Sequence, residues 1–216
     1  KGIDNEKSIN DYMESQQNAL KLSGGDFMKA FQLDKEKQTT RDAFGDEFGQ
    51  RCLLARRLIQ RGVRFTEVSF NLNFINGTGW DTHKGGQLNQ HHLISSLDNA
   101  LAALVDDLES HNLLEKALVV VATEFGRPIG FDGAGGRGHW SKSFSMVFAG
   151  GGLKTGQVIG KTDEKSQVPI ERPVSIPDFH ATIHHALGID YSESIYSGDR
   201  PVPITDNGLP ILELFS

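Results

Sequence analysis

The chain has 216 residues, 38% of them hydrophobic and 23% charged, a composition typical of a globular protein long enough to bury a core. Its net charge of −6, without a basic run interleaved with aromatic residues, argues against a nucleic-acid or anionic-membrane partner. The single cysteine, Cys52, excludes an internal disulfide and a cysteine-based metal site. Its helical setting predicts a buried, inert thiol. No apolar stretch is long enough to span a bilayer.

The first 47 residues are polar and predict a helical segment that packs on the rest of the chain. Two short amphipathic pieces, residues 9–22 and 25–33, are expected to be helices, and residues 35–42 are expected to be a solvated connection. A stronger amphipathic helix is predicted from residue 47 to residue 61, and Gly62 is expected to end it.

The middle of the chain predicts a strand, a loop, a helix and a second strand. Residues 63–70 are rich in β-branched and aromatic side chains, which favours a strand. A glycine- and asparagine-rich loop follows, and leucines at spacings of three and four predict a helix over residues 89–110. The apolar run of residues 117–123 then predicts a buried strand. This order indicates a βαβ unit and an α/β fold.

The C-terminal part continues with a strand, a helix and a docked tail. Residues 144–150 predict a further buried strand, and a glycine-rich turn leads into a short one. Residues 176–189 predict a helix that has Pro177 in its first turn and Gly188 at its end. The apolar tail, residues 208–215, is expected to pack on the core. The predicted organisation is thus the helical segment 1–47 and an α/β domain over residues 48–216.

Chemistry-bearing side chains are concentrated in three loops that follow predicted elements. In open α/β sheets, functional groups gather in such loops. The candidates are Asp81, His83, Glu124, Arg127, Arg137 and His139.

Two interpretations of the acidic and histidine candidates remain open. Asp81 and His83 are two residues apart, so an extended backbone points both side chains to one side, where they could chelate an ion. With Glu124 and His139, they form a ligand set suited to Zn²⁺, Mn²⁺ or a similar cation rather than Ca²⁺. The structural alternative is an Asx-turn at Asp81 and a buried ion pair between Glu124 and an arginine.

The arginines and tryptophans of these loops are also open to two interpretations. Arg127 and Arg137 could clamp an anion through bidentate hydrogen bonds or could hold the long loop in place. Trp80 and Trp140 could wall the site or pack in the core. No nucleophile motif is visible, and Ala181 stands where the histidine pair of "HATIHH" would need a glutamate to form a zinc-protease helix.

A set of motifs covering nearly the whole chain resembles a bacterial domain-of-unknown-function family related to sulfatases. The motifs are "QQNALKL", "FGQRCLLARRLIQRGVRF", "GWDTH", "ALVVVATEFGRP", "GGRGHW", "FSMVFAGGGLKTGQVIG", "RPVSIPDFHATIHHALGID" and "RPVPITDNGLPILELF". The resemblance implies an alkaline-phosphatase-like fold, with a mixed or parallel sheet covered by helices, of which this chain would be the C-terminal half. It also implies export by a twin-arginine signal that is not visible in this chain.

The resemblance implies a metal-dependent hydrolase of sulfate or phosphate esters. Its metal ligands would be Asp81, His83, Glu124 and His139, and Arg127, Arg137 and Trp140 would bind the small anionic substrate. The metal could be Zn²⁺, Mn²⁺, Mg²⁺ or Ca²⁺. Phe125 and Gly138 stand where the family pattern has a histidine and an aspartate, so only one metal site is expected. The alternative is a binding or scaffold protein that has kept the fold without turnover.

Overall fold

The computed structural model describes residues 5–22, 24–70 and 79–215. Six α-helices lie within these residues: α1 Asn5–Leu22, α2 Gly25–Met28, α3 Gln38–Phe44, α4 Glu47–Gln60, α5 Gly86–Ser110 and α6 Ile176–Ala186. Six strands accompany them: β1 Leu118–Val121, β2 Val147–Gly150, β3 Lys161–Thr162, β4 Pro169–Glu171, β5 Ser194–Ser197 and β6 Arg200–Pro203. No helix in the described part of the chain is long and apolar enough to cross a membrane.

The chain forms two compact units. The first comprises Lys1–Phe70 and Ile94–Leu104, and the second comprises Asn71–Leu93 and Val105–Ser216. Helix α5 therefore supplies its middle to the first unit and both of its ends to the second. All the candidate site residues belong to the second unit.

Helix α4 confirms the strongest helix predicted from the sequence. Asp46 caps its first turn, where the side-chain Oδ1 accepts a hydrogen bond from Gly49 N at 3.2 Å, as aspartate caps commonly do. Its buried face includes Phe48, Cys52 and Leu53. Gly62 follows the helix with a φ of 87°, a conformation that glycine adopts without steric cost.

The connection predicted over residues 35–42 is partly wrong. Residues from Gln38 onward form helix α3, which ends at Phe44, a side chain only 1% exposed. Burial of this aromatic ring stabilises a short helix that its polar sequence does not favour. The two predicted N-terminal helices are present as α1 and as α2 with the 3₁₀ turn Lys29–Phe31.

The strand predicted over residues 63–70 is wrong. The segment has no strand pairing, and Phe65 is 79% exposed. β-Branched and aromatic residues favour strands only where a neighbouring strand pairs with them, and none does so within the described residues. The predicted βαβ unit therefore lacks its first strand. The first part of the loop predicted to follow, residues 71–78, lies outside the described residues.

Strand β1 is confirmed, but its pairing is antiparallel. Leu118 lies opposite Gly150 and Val121 opposite Val147, which joins β1 to β2 in a two-stranded sheet. The pairs β3–β4 and β5–β6 are antiparallel as well, so no parallel pairing occurs in the part of the chain that is described. The fold is a mixed helix-and-strand structure with small antiparallel sheets, and the β1 and β2 residues are not fully buried.

Helix α6 and the docked tail are confirmed. Ser175 and Asp178 form a capping box at the start of α6, with Pro177 in its first turn, an arrangement that satisfies two unpaired backbone donors. The tail packs on this helix. Leu209 N donates to Asp178 Oδ1 at 2.8 Å and Ile211 N to Thr182 Oγ1 at 3.0 Å.

Candidate functional site

Two segments of the second unit are joined by backbone hydrogen bonds, and together they carry the candidate site. Arg137 N donates to Thr82 O at 3.3 Å and Gly86 N to Gly135 O at 3.2 Å. The loop that holds Arg137 is closed at its base, where Gly126 and Trp140 exchange two hydrogen bonds of 2.9 Å. The base of this loop places His139 against the short segment that holds Asp81 and His83, where Thr82 N donates to Trp80 O and His83 N to Asp81 O.

The side chains of Asp81, His83 and His139 converge on one point. Asp81 Oδ1 lies 3.0 Å from His83 Nε2 and 3.0 Å from His139 Nε2, and the two nitrogens lie 3.2 Å apart. No other group of three or more histidine, cysteine and acidic side chains in the described ranges brings its potential ligand atoms this close together. The three side chains are 54%, 43% and 50% exposed, so one side of the triangle is open to solvent.

Asp132 lies behind His83 and was not among the residues predicted from the sequence. Its Oδ2 lies 3.1 Å from His83 Nδ1, and its Oδ1 accepts hydrogen bonds from Ala134 N and Gly136 N at 3.2 and 3.0 Å. An ionised carboxylate can only accept, so His83 Nδ1 must be the donor. Burial is the largest single influence on the pKa of Asp132 and raises it, but the hydrogen bonds from His83 and the two backbone amides together lower the pKa below its usual value.

Neutral His83 with its proton on Nδ1 leaves a bare lone pair on Nε2, which lies 3.0 Å from Asp81 Oδ1 and 3.2 Å from His139 Nε2. A proton on His139 Nε2 can form a hydrogen bond with either His83 Nε2 or Asp81 Oδ1. The contact of His139 Nε2 with the other of these two atoms then has no hydrogen. Two acceptors at 3.0 Å repel each other unless a proton or a cation lies between them. The triangle is therefore complementary to a positive charge.

Asp81 is held as a carboxylate by its neighbours. The hydrogen bond from His139 is the largest influence on the pKa of Asp81 and lowers it; burial opposes this effect, and the hydrogen bond from Arg127 lowers the pKa further. The group is thus ionised at neutral pH and offers a negatively charged oxygen ligand.

Arg127 fixes the site's geometry. Its Nη2 donates to Trp80 O at 2.8 Å and to Asp81 Oδ1 at 3.2 Å, and its Nη1 donates to Arg137 O at 2.7 Å. These bonds tie the segment that holds Asp81 to the long loop. They engage both terminal nitrogens of Arg127, which weakens the prediction that this residue clamps an anion. The contacts favour the structural alternative, in which Arg127 holds the long loop in place, with Asp81 as its partner instead of Glu124.

Phe125 stacks on His139. Their ring centroids are 4.1 Å apart and the rings are inclined by 24°. No group of the described residues hydrogen-bonds His139 Nδ1, so the second imidazole is oriented by this ring contact together with the hydrogen bond from its Nε2 to Asp81 Oδ1. Phe125 cannot ligate a metal, but it supports a residue that can.

The other predicted site residues lie outside the triangle. Glu124 is exposed, and it makes no hydrogen bond or ion pair within the described ranges. Arg137 donates from Nη1 to Pro128 O at 2.8 Å and to Ile129 O. Trp140 donates from Nε1 to Gln167 O at 2.7 Å, which makes it an anchor of the loop. Gly138 directly precedes His139 of the triangle, and an additional Cβ at Gly138 would meet no atom within 4 Å.

The chain matches a known protein family. The family described as "Protein of unknown function (DUF1501)" matches residues 3–215. No curated protein and no solved structure matches the chain.

Proposed function

Since the chain belongs to this family of unknown function, we propose a function from the site itself. Asp81, His83 and His139 bind one divalent transition-metal ion, and the protein is a metal-dependent hydrolase of sulfate or phosphate esters. The observation that carries the proposal is the convergence of one carboxylate oxygen and two imidazole nitrogens within 3.0–3.2 Å of one another.

The spacing of these atoms fits an ion bound on the open side of the triangle. Ligands that bond one ion at about 2.1 Å lie roughly 3.0 to 3.4 Å apart for octahedral to tetrahedral angles. Two imidazoles and one carboxylate suit Zn²⁺, Mn²⁺ or Fe²⁺ better than Ca²⁺, which prefers oxygen ligands. Phe125, which follows Glu124, cannot ligate a metal. We therefore propose one bound ion and not a pair of ions.

A divalent ion in such a site supplies Lewis-acid activation of water and of the ester. The chain's own residues prepare the site for it. Asp81 contributes the negative charge, Arg127 fixes the position of Asp81, and the exposed side of the triangle leaves room for water and a substrate oxygen. The remaining N–H groups of Arg137 are the candidate contacts for the substrate anion.

The choice of sulfate or phosphate esters is supported by the resemblance to proteins related to sulfatases. The same resemblance supports the alkaline-phosphatase-like architecture and the export that are part of this proposal. The rival function is metal binding without turnover, and it is favoured by the engagement of both terminal nitrogens of Arg127 within the fold.

Hydrolysis of aryl sulfates and aryl phosphates, measured with added Zn²⁺, Mn²⁺ or Fe²⁺, tests the proposal. We expect turnover that requires metal and is lost in Asp81→Ala, but is retained in His92→Ala, which removes an exposed histidine of α5. Metal binding without turnover of either ester would favour the rival. Turnover that survives Asp81→Ala would refute the assignment of the site.

A further inference from the structure

We propose that Asp132 is a positioning residue for His83, which holds the imidazole in the tautomer and orientation that a metal ion requires. This inference rests on the proposed metal site and adds a residue to it. The geometric basis is the chain of contacts from Gly136 N through Asp132 to His83 and then to the triangle.

The tautomer follows from the contact between Asp132 and His83. Because the carboxylate accepts from Nδ1, neutral His83 carries its only proton there, and its Nε2 lone pair is free for a metal. Metal-binding histidines commonly donate their other ring N–H to a carboxylate, which fixes the ring and makes the ligand more basic.

Asp132 is itself held in place, which distinguishes it from a mobile surface carboxylate. Its second oxygen accepts hydrogen bonds from two backbone amides of the same loop, and its own amide donates to Gly136 O at 2.9 Å. The side chain is 31% exposed. A carboxylate fixed by the backbone of its own loop can impose an orientation on the imidazole that it contacts.

The two histidines of the site are therefore supported differently. His83 has a charged acceptor behind Nδ1, whereas His139 has the ring of Phe125 on its face. The carboxylate makes His83 the better-fixed ligand. Loss of Asp132 should consequently weaken metal binding without removing any ligand.

The variant Asp132→Asn isolates this role. Asparagine keeps an oxygen that can accept from Ala134 N and Gly136 N, so the loop turn is retained. It replaces the oxygen facing His83 with an amide donor, which favours the opposite tautomer. The matched control is Asp163→Asn, because Asp163 accepts from Gln167 N and Val168 N in a similar turn and has no histidine partner among the described residues.

Two measurements test the inference. The first is the tautomer of His83 in the metal-free protein, read from ¹⁵N-edited NMR at a pH where the ring is neutral. The second is the affinity for Co²⁺, measured by competition with a chelator. We expect the Nδ1–H form in the wild type, its loss in Asp132→Asn, and an affinity about 10- to 100-fold lower, with Asp163→Asn unchanged in both.

The outcomes separate this inference from the proposed function. A wild-type protein that binds no Co²⁺ would overturn both. If the wild type binds Co²⁺ and Asp132→Asn keeps both its tautomer and its affinity, the inference about Asp132 is wrong and the metal site stands. Circular dichroism and thermal unfolding of the variant confirm that it is folded before either result is interpreted.

Discussion

At the residue scale, the chemistry of the site depends on what lies behind each imidazole. Phe125 stacks on His139, and such a ring pair is worth about 0.5–1.5 kcal/mol. We therefore expect Phe125→Ala to weaken Co²⁺ binding roughly 2- to 10-fold, because the imidazole becomes freer to rotate. Chelator competition measures the affinity. Phe125→Tyr, which keeps the ring, is the control, and an unchanged affinity in Phe125→Ala would show that the stacking does not orient His139.

The thiol of Cys52 is predicted to be unreactive in the folded protein. Burial raises the pKa of its thiol to about 11, and the nearby charge of Asp46 adds to the effect. Since the thiolate is the reactive form, a thiol reagent at pH 8 should label the native protein far more slowly than the protein unfolded in urea. Equal labelling rates in the two states would contradict the buried position of Cys52.

Part of the site can be predicted from residue spacing, and part cannot. Asp81 and His83 are recognisable because two side chains two positions apart share one side of an extended segment. His139 is recognisable because it lies in a loop in which chemistry-bearing side chains are concentrated. Asp132 carries no such signal, since its role depends on a contact with His83 across 49 positions of the chain. Its only local sign is the neighbouring Gly133, which is typical of a turn that an aspartate can stabilise.

At the scale of elements, the loop that carries His139 must lie directly on the segment that carries His83. An additional Cβ at Gly136 would lie 2.2 Å from both Thr82 O and His83 C. Gly136→Ala should therefore push the two segments apart, lower the free energy of unfolding by about 1–3 kcal/mol and abolish metal binding. Urea unfolding and chelator competition measure these two effects.

The matched control for that loop is Gly133→Ala. No atom lies within 4 Å of a Cβ added at Gly133, so stability and metal affinity should stay near the wild-type values. If both variants behaved alike, the close approach at Gly136 would not be what joins the segments.

The contact between helix α6 and the tail should be sensitive to acid. The hydrogen bond from Leu209 N is the main cause that lowers the pKa of Asp178, and its bonds with Ser175 add to it against partial burial. A folded-state pKa below the unfolded value of about 3.9 stabilises the protein above that pH, and this stabilisation is lost as the pH falls through the folded value.

The variant Asp178→Asn measures this contribution. It should unfold at lower urea concentration than the wild type at pH 7, and the difference should shrink as the pH is lowered below about 4. Unfolding curves of the two proteins between pH 7 and pH 3 provide the comparison. A difference that stays constant down to pH 3 would exclude a contribution from the ionised side chain.

Helices follow from the sequence more closely than strand pairing does. The periodicity of α4 and α5 and the cap of α6 are local features, and their predicted bounds are within a few residues of the observed ones. Strand pairing depends on distant partners. The apolar run of β1 therefore predicts a strand correctly, but it cannot reveal the antiparallel partner β2, and the similar run over residues 63–70 has no partner within the described structure.

At the scale of the whole molecule, the chain is a mixed helix-and-strand protein of a family without an assigned activity, and its net charge of −6 does not itself attract an anionic substrate. A local positive charge is needed to hold one, and a bound cation beside Arg127 and Arg137 would supply it. The proposed metal is therefore central to any reaction with a sulfate or phosphate ester.

The most direct test of the metal site is the metal content of the protein after equilibration with Zn²⁺ and exhaustive dialysis. Elemental analysis should find one ion per chain in the wild type and in the control His92→Ala, and almost none in Asp81→Ala or His83→Ala. Binding should also stabilise the wild type by about 2.7 kcal/mol at a free concentration 100-fold above the dissociation constant, and so raise its melting temperature. A wild-type protein without metal, or one whose metal content is unchanged by both substitutions, would contradict the site.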